Sequence, residues 1–257
     1  LLIDEVLPKL STWDEKHQLA TYQRVFRIFN LPETEVNRRI KTLDFAPDVQ
    51  IGYYPVYPEV HVSLTVRDKA TNNARKLFQS SCKAINTVLG DSIYGVDRDS
   101  MEKIVGALLT KQNLRLAVAE SCTGGLICKK LTETAGSSNY LLGGVVSYSN
   151  SLKNIYLGVK TESLENYGAV SRQVAEEMAV GVRKKTRADI GLAVTGIAGP
   201  GGGIPEKPVG TVYIAIATKD ENWVSKFHFE GNRNQVREIT AQSGLNLIRN
   251  YLLQQLW

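Results

Sequence analysis

Leu114-Arg-Leu-Ala-Val-Ala-Glu-Ser-Cys-Thr-Gly-Gly125 is the stretch on which the fold of this 257-residue chain turns. Its first six residues make a short, mostly apolar run, the pattern of a strand buried on both faces. The glycines then hand the chain to a helix over about Gly124–Thr134. Downstream, helices at about Ser151–Leu157 and Ser171–Thr186 alternate with strands at Gly144–Tyr148 and Ile190–Val194. A helix at about Asp99–Thr110 precedes the run. Two long strands follow at about Val209–Thr218 and Trp223–Phe229, an antiparallel pair turning at Asp220-Glu221-Asn222, and Asn234–Leu256 closes the chain as an amphipathic helix. Alternation with a terminal hairpin predicts an α/β fold, a three-layer α/β/α domain with a mixed sheet, over residues 98–257.

Residues 1–97 read differently. Leu2, Val6, Leu7 and Leu10 space an opening helix, and Tyr22, Arg24, Phe26 and Ile28 alternate as a strand near Thr21–Phe29. Pro32, Glu33 and Glu35 start a short helix reaching about Leu43. Ile51–Tyr54 and Glu59–Arg67 suit a hairpin, and Asn72–Leu89 is a long amphipathic helix stopped at Gly90. The order predicts a small α+β domain.

Composition separates the same two parts. Residues 1–97 carry 12 basic and 12 acidic side chains, so the formal net charge of +5 resides wholly in residues 98–257. Of 21 glycines only Gly52, Gly90 and Gly95 fall in the first part. Glycine with positive charge suits a backbone that approaches an anion, although tight turns of an α/β domain use glycine equally. No stretch approaches the roughly 18 apolar residues of a membrane span. Three cysteines, Cys82, Cys122 and Cys128, show no paired or metal-ligand spacing, which disfavours a disulfide scaffold and suits a reducing cytoplasm. The chain opens Leu1-Leu2-Ile3 without a signal-peptide pattern and reads as a fragment or processed product.

Three segments carry the chemistry. Glu120-Ser-Cys-Thr-Gly-Gly125 sits where a strand meets a helix, the place where open α/β sheets bind ligands, and Ser121 is placed there as a nucleophile. It lacks the Gly-x-Ser-x-Gly elbow, and Ser121 or Thr123 serves equally as a helix cap. Histidine is scarce: His17 and His61 lie in the first part and His228 in a strand, so a Ser-His-Asp triad is disfavoured. In Val146-Ser-Tyr-Ser-Asn150 a strand leads into a helix capped by Asn150 or Ser151, with Lys153 in its first turn. A lysine there opposes the helix dipole, which lowers its pKa and suits a base, the alternative being a solvated lysine. Tyr148 is a second candidate or a half-buried strand aromatic. The third segment, Thr195-Gly-Ile-Ala-Gly-Pro-Gly-Gly-Gly203, holds five glycines in nine residues and matches no P-loop or dinucleotide fingerprint. It cradles an anion or is a flexible turn. Arg233 and Arg237, at i and i+4 in the last helix, fork onto a phosphate or are solvated.

Together the three ordered segments, with Lys207-Pro-Val-Gly-Thr-Val-Tyr213, resemble the CinA C-terminal domain family, the nicotinamide mononucleotide deamidases. Residues 1–97 resemble, more weakly, the KH-type middle domain of full-length CinA proteins, whose N-terminal molybdopterin-binding-like domain has no counterpart here. The resemblance implies hydrolysis of nicotinamide mononucleotide to nicotinate mononucleotide and ammonia, without metal or other cofactor. It implies Ser121 as nucleophile, Lys153 as base, and Tyr148 relaying or orienting the proton. Glu120, Asn150, Thr195, Gly196, Gly199, Gly201 and Gly202 then line the substrate. Amides at Thr123 and Gly124 are inferred as an oxyanion hole and Arg233 with Arg237 as the phosphate site. Ser147 stands where the family often has threonine, and Ile204 where a hydroxyl residue is common. The expected partners are a phosphorylated nucleotide and a second copy of the chain, with Leu252, Leu253, Leu256 and Trp257 as interface or core, and neither nucleic acid nor membrane. A KH fold clamps nucleic acid with a Gly-x-x-Gly loop, absent from residues 1–97, whose charge balances to zero. A catalytically silent nucleotide-binding module is the competing reading.

Overall fold

The structure, a computed structural model, describes residues 20–68 and 71–253. The chain divides into two compact units between Asp99 and Ser100. The expected opening helix through Leu2 and Leu10 lies outside the described residues, as do Leu256 and Trp257.

The first unit runs β1 (Ala20–Ile28), α1 (Glu33–Ile40), β2 (Val49–Val56), β3 (Glu59–Asp68), α2 (Thr71–Leu89) and β4 (Ile93–Val96). Its sheet has the order β2-β3-β1-β4 and all its pairings are antiparallel. Period-2 alternation puts Val60, Val62 and Leu64 on one face beside Phe26 and Ile28. Val36 and Ile40 of α1 and Ile85 and Leu89 of α2 close over them. Helix α1 carries Glu33 and Glu35 in its first turn and Arg38 and Arg39 in its last, each sign matched to the helix dipole. Gly90, at φ +51°, ends α2 as expected. Strand β4 was not expected, because four residues are too few to show a period.

The second unit runs α3 (Met101–Lys111), β5 (Leu116–Glu120), α4 (Leu126–Thr132), β6 (Leu141–Val146), α5 (Asn150–Leu157), α6 (Thr161–Tyr167), α7 (Arg172–Thr186), β7 (Ile190–Gly196), β8 (Thr211–Ala217), β9 (Asn222–His228) and α8 (Arg233–Leu252). The sheet order is β6-β5-β7-β8-β9. Strands β6, β5 and β7 are parallel, and β8 and β9 are antiparallel to their neighbours. This is the mixed sheet that the terminal hairpin implied.

Side-chain size distinguishes its two faces. Ala117, Ala119, Ala193, Ala215 and Ala217 form the floor on which Val174, Met178 and Val182 of α7 pack. Small side chains let that helix come close: a Cβ on Gly191 would stand 2.2 Å from the Ala179 carbonyl oxygen. On the other face the larger Leu192 and Ile127 meet Gly244 of α8. Every residue of β5 is buried, the burial that its apolar run required. Fully burying one such Val or Leu side chain contributes about 1.5–3 kcal/mol, so this five-residue strand holds the centre of the domain.

Candidate active site

The carboxyl ends of β5, β6 and β7 lie side by side because the strands are parallel, and each carries one of the three segments. At the end of β5 the chain must reverse within a few residues. Gly124 and Gly125 do this at φ +61° and +93°, a region that side chains with a Cβ rarely enter. The fold-back returns the first turn of α4 to the end of its own strand. There the Glu120 carboxylate accepts from the amides of Gly125 (2.9 Å), Ile127 (3.1 Å) and Cys128 (2.9 Å).

Two expectations are corrected by this arrangement. Glu120 is fully buried with both oxygens spent on backbone amides, so it caps α4 and does not line the substrate. Neither Ser121 nor Thr123 caps the helix, whose cap position is Gly125. The Gly124 amide, expected in an oxyanion hole, donates to the Ser121 carbonyl at 3.2 Å. The Thr123 amide donates to no backbone carbonyl among the described residues.

Freed from capping, the Ser121 hydroxyl meets Lys153. Lys153 Nζ is 3.1 Å from Ser121 Oγ and donates at 2.8 Å to the Ser147 carbonyl. The sequence placed this lysine in the first turn of a helix after β6. The structure adds that the helix is capped by Ser149, whose Oγ accepts from the Leu152 amide at 3.2 Å, in place of Asn150 or Ser151. Lys153 is 1% exposed, and no carboxylate reaches it within ion-pairing distance among the described residues. Burial therefore lowers its pKa from the ordinary 10.5, opposed weakly by the Cys122 sulfur. A buried amine with no counter-ion favours the neutral form, which can accept a proton from a serine.

Cys122 adjoins Ser121 and invites the opposite assignment. Burial pushes its thiol up to about 12, so it stays protonated near neutrality and is a poor nucleophile. Cys128 is held at about 12 by the same cause. No histidine is hydrogen-bonded to Ser121 among the described residues, and none of them forms a group of three or more His, Cys, Asp or Glu suited to a metal ion.

The other candidates form the wall. Tyr148 is 62% exposed, and its hydroxyl accepts from Arg233 Nη2 at 3.0 Å. Arg233 Nη1 donates to the Gly199 carbonyl at 2.7 Å. Arg237 forks onto the Thr123 carbonyl through Nη2 at 2.8 Å and Nε at 3.3 Å. The two arginines expected on a phosphate thus tie α8 to the turn after β5 and to the glycine loop, each with three of its five donor hydrogens unspent. Thr195 is buried, and its hydroxyl donates to the Ala169 carbonyl at 2.8 Å, tethering the loop ahead of α7. Gly196 pairs with Val212 at the end of β7, where a Cβ would stand 2.7 Å from Val212 Cγ2, so its glycine serves packing. Beyond it Gly201 and Gly202 stand exposed, and the amides of Gly199, Gly201 and Gly202 donate to no backbone carbonyl among the described residues. Asn150 is exposed at the start of α5.

Sequence reasoning missed the capping role of Glu120, and it did not foresee that the hydroxyls of Ser147 and Thr123 would both be buried without a hydrogen-bond partner. A signal for the first existed: an acid directly before a double-glycine turn into a helix with no Ser, Asp or Asn at its cap.

Both units resemble known proteins. The family model described as "CinA C-terminal domain" matches residues 98–252, and that described as "Damage-inducible protein CinA KH domain" matches residues 23–95. A CinA-like protein of Desulfotalea psychrophila is 58% identical over 100% of this chain and 62% of its own length. One of Syntrophomonas wolfei is 41% identical over 90% of this chain and 56% of its own length. The chain thus spans about three fifths of the curated relatives it matches. Among solved structures, the competence/damage inducible protein CihA from Agrobacterium tumefaciens has 42% identity and a TM-score of 0.57, covering 60% of this chain and 96% of that one. A CinA superfamily protein from Escherichia coli has 36% identity and a TM-score of 0.56, covering 63% and 92%. With the C-terminal model covering most of the chain and the three motif segments meeting at one sheet end, the chain belongs to the CinA family.

Proposed function

We propose that the second unit is an amidohydrolase that converts nicotinamide mononucleotide and water to nicotinate mononucleotide and ammonia by covalent serine catalysis. The observation that carries the reading is the 3.1 Å contact between Ser121 Oγ and the buried, ion-pair-free Lys153 Nζ. A binding site has no use for a lysine whose burial favours the neutral form set against a serine, whereas a nucleophile without histidine needs one.

Neutral Lys153 takes the Ser121 proton as Oγ bonds to the carboxamide carbon, giving a tetrahedral oxyanion. The Thr123 amide, which donates to no backbone carbonyl among the described residues and faces the Cys122 sulfur, is the inferred donor to that oxygen, since the Gly124 amide is spent. The proton returns to the departing nitrogen, the C–N bond breaks, ammonia leaves, and an ester on Ser121 remains. Water then attacks the ester with Lys153 again taking the proton, and the carboxylate leaves as Ser121 regains its hydrogen. Tyr148, held by Arg233, orients the proton path from the open side. The free amides at Gly199, Gly201 and Gly202 and the unspent hydrogens of Arg233 and Arg237 receive the phosphate, with Asn150 at the rim.

The site faces an edge. Strand β6 ends the sheet with Leu142 and Val146 exposed, and Ile155 and Tyr156 of α5 are exposed as well, so a second copy of the chain covers this side in a homodimer. Leu252 is buried in the core and Leu253 is exposed. No helix among the described residues is long and apolar enough to cross a membrane.

Ammonia release tests the reading. Nicotinamide mononucleotide is expected to react, and nicotinamide riboside and nicotinamide to react far more slowly, because they lack the phosphate. Binding of the mononucleotide, seen as a thermal shift, without ammonia would replace the amidase with a silent binding module.

A further inference from the structure

We propose that the first unit carries its own binding groove for a phosphorylated small molecule with a planar ring, of mononucleotide type. Helix α2 and strand β1 make the groove. Tyr22 and Arg24 share the face of β1 that also bears Phe26 and Ile28, since side chains alternate along a strand. Over Phe26 and Ile28 that face is sealed by the core, but toward the start of β1 it opens into a groove of about 490 Å3 against α2. The volume falls within the usual range for small-molecule sites, about 300–1,000 Å3.

The lining combines two chemistries. Tyr22 and Phe78 have ring centroids 5.7 Å apart at 33°, and the Arg24 guanidinium carbon lies 5.7 Å from the Phe78 centroid. Together they form an aromatic and cationic wall on which a planar ring can stack. Arg75 and Lys83 line the same groove from α2 and are exposed, and with Arg24 they bring three cations to it. Among the described residues no carboxylate lines it. Asp97 forms an ion pair with Arg24, its Oδ2 3.5 Å from Arg24 Nε, while its Oδ1 accepts from the Val25 amide at 2.9 Å. That approach misses hydrogen-bond geometry, and Arg24 Nε stays buried without a hydrogen-bond partner. The rest of the Arg24 side chain is partly exposed and lines the groove, where its guanidinium can donate to a ligand's phosphate oxygen.

The concentration is local. Residues 1–97 balance 12 basic against 12 acidic side chains, yet the groove draws three cations together. A phosphate fits that excess and a ring fits the aromatic wall. The groove lies wholly within the first unit, so its occupant is recognised without Ser121 or Lys153.

The test is titration of the full chain with adenosine 5′-monophosphate, followed by amide NMR shifts, against adenosine and a single-stranded DNA decamer. Shifts are expected at Tyr22, Phe78 and Lys83. Arg75→Gln and Lys83→Gln, both at exposed positions, are expected each to weaken binding about tenfold, the loss of one charge-assisted contact. Ammonia release from nicotinamide mononucleotide should be unchanged in both variants, which separates this groove from the amidase site. Adenosine is expected to bind at least about tenfold more weakly than the monophosphate by the same arithmetic. Monophosphate shifts confined to residues 100–257, or an affinity indifferent to both substitutions, would overturn the proposal. So would a decamer that binds with steep salt dependence where the monophosphate does not bind at all.

Discussion

The two loops that follow β5 and β7 are both rich in glycine, yet they are built for opposite purposes. After β5, Ser121, Cys122 and Thr123 are buried, Glu120 holds three amides, and Arg237 forks onto the Thr123 carbonyl. After β7, Gly201, Gly202 and Gly203 stand in solvent, with amides at 201 and 202 that donate to no backbone carbonyl among the described residues. Glycine in the first loop lets the chain fold back on itself. In the second it leaves backbone donors uncovered. Substitutions in the first are therefore expected to change chemistry or stability, and those in the second to change substrate affinity.

The largest effect is expected at Ser121, the proposed nucleophile. Ser121→Ala is expected to lower kcat by about 10³-fold or more, as removal of a serine nucleophile does elsewhere, with KM nearly unchanged. Steady-state ammonia release measures it. Lys153→Met comes next, at about 10²–10⁴-fold in kcat, the usual contribution of a positioned base.

Lys153 also sets the pH dependence. Its folded pKa is lowered below the ordinary 10.5, so the unfolded chain takes up the proton first as pH falls. Between 10.5 and the folded value stability declines with falling pH, and below the folded value the penalty is constant. The rate is expected to rise as pH climbs through the lowered pKa and the base appears. Lys153→Met should remove that limb and raise the melting temperature at neutral pH. A melting temperature unchanged by this substitution would mean that the amine is not a buried charge risk.

Much of this site was legible in the sequence, because its strands are marked by apolar runs and its loops by glycine. Ser121 and Lys153 lie 32 positions apart and meet since β5 and β6 are parallel neighbours, with Ser121 directly after β5 and Lys153 in the first turn of the helix that follows β6. Glu120 was misread because capping rules look one to three residues ahead of a helix. Here the two left-handed glycines bring an acid back from further upstream. Helix α6 and strand β4 escaped notice because seven and four residues show too little periodicity. The hydrogen bonds of Arg233, Arg237 and Thr195 to carbonyls depend on tertiary placement that no local pattern encodes.

Smaller effects sharpen the contrast between the loops. Glu120→Ala strips the carboxylate from three amides and is expected to cost about 1.5–3 kcal/mol, with KM preserved in whatever protein remains folded. Chemical denaturation measures it. A raised KM with unchanged stability would return Glu120 to the substrate. Gly201→Ala meets nothing within 4 Å and has no positive φ, so stability should hold within about 0.5 kcal/mol while KM rises a few-fold. Its neighbour Gly202, at φ +87°, should lose about 1–2 kcal/mol as alanine.

The most direct measurement is the mass of the Ser121 peptide after rapid quenching of the chain with nicotinamide mononucleotide. A nicotinate-ester increment on Ser121, formed as the first equivalent of ammonia appears and absent in Ser121→Ala, is the expected result. Ammonia released at the wild-type rate by Ser121→Ala, with no increment on this peptide in either protein, would contradict serine catalysis.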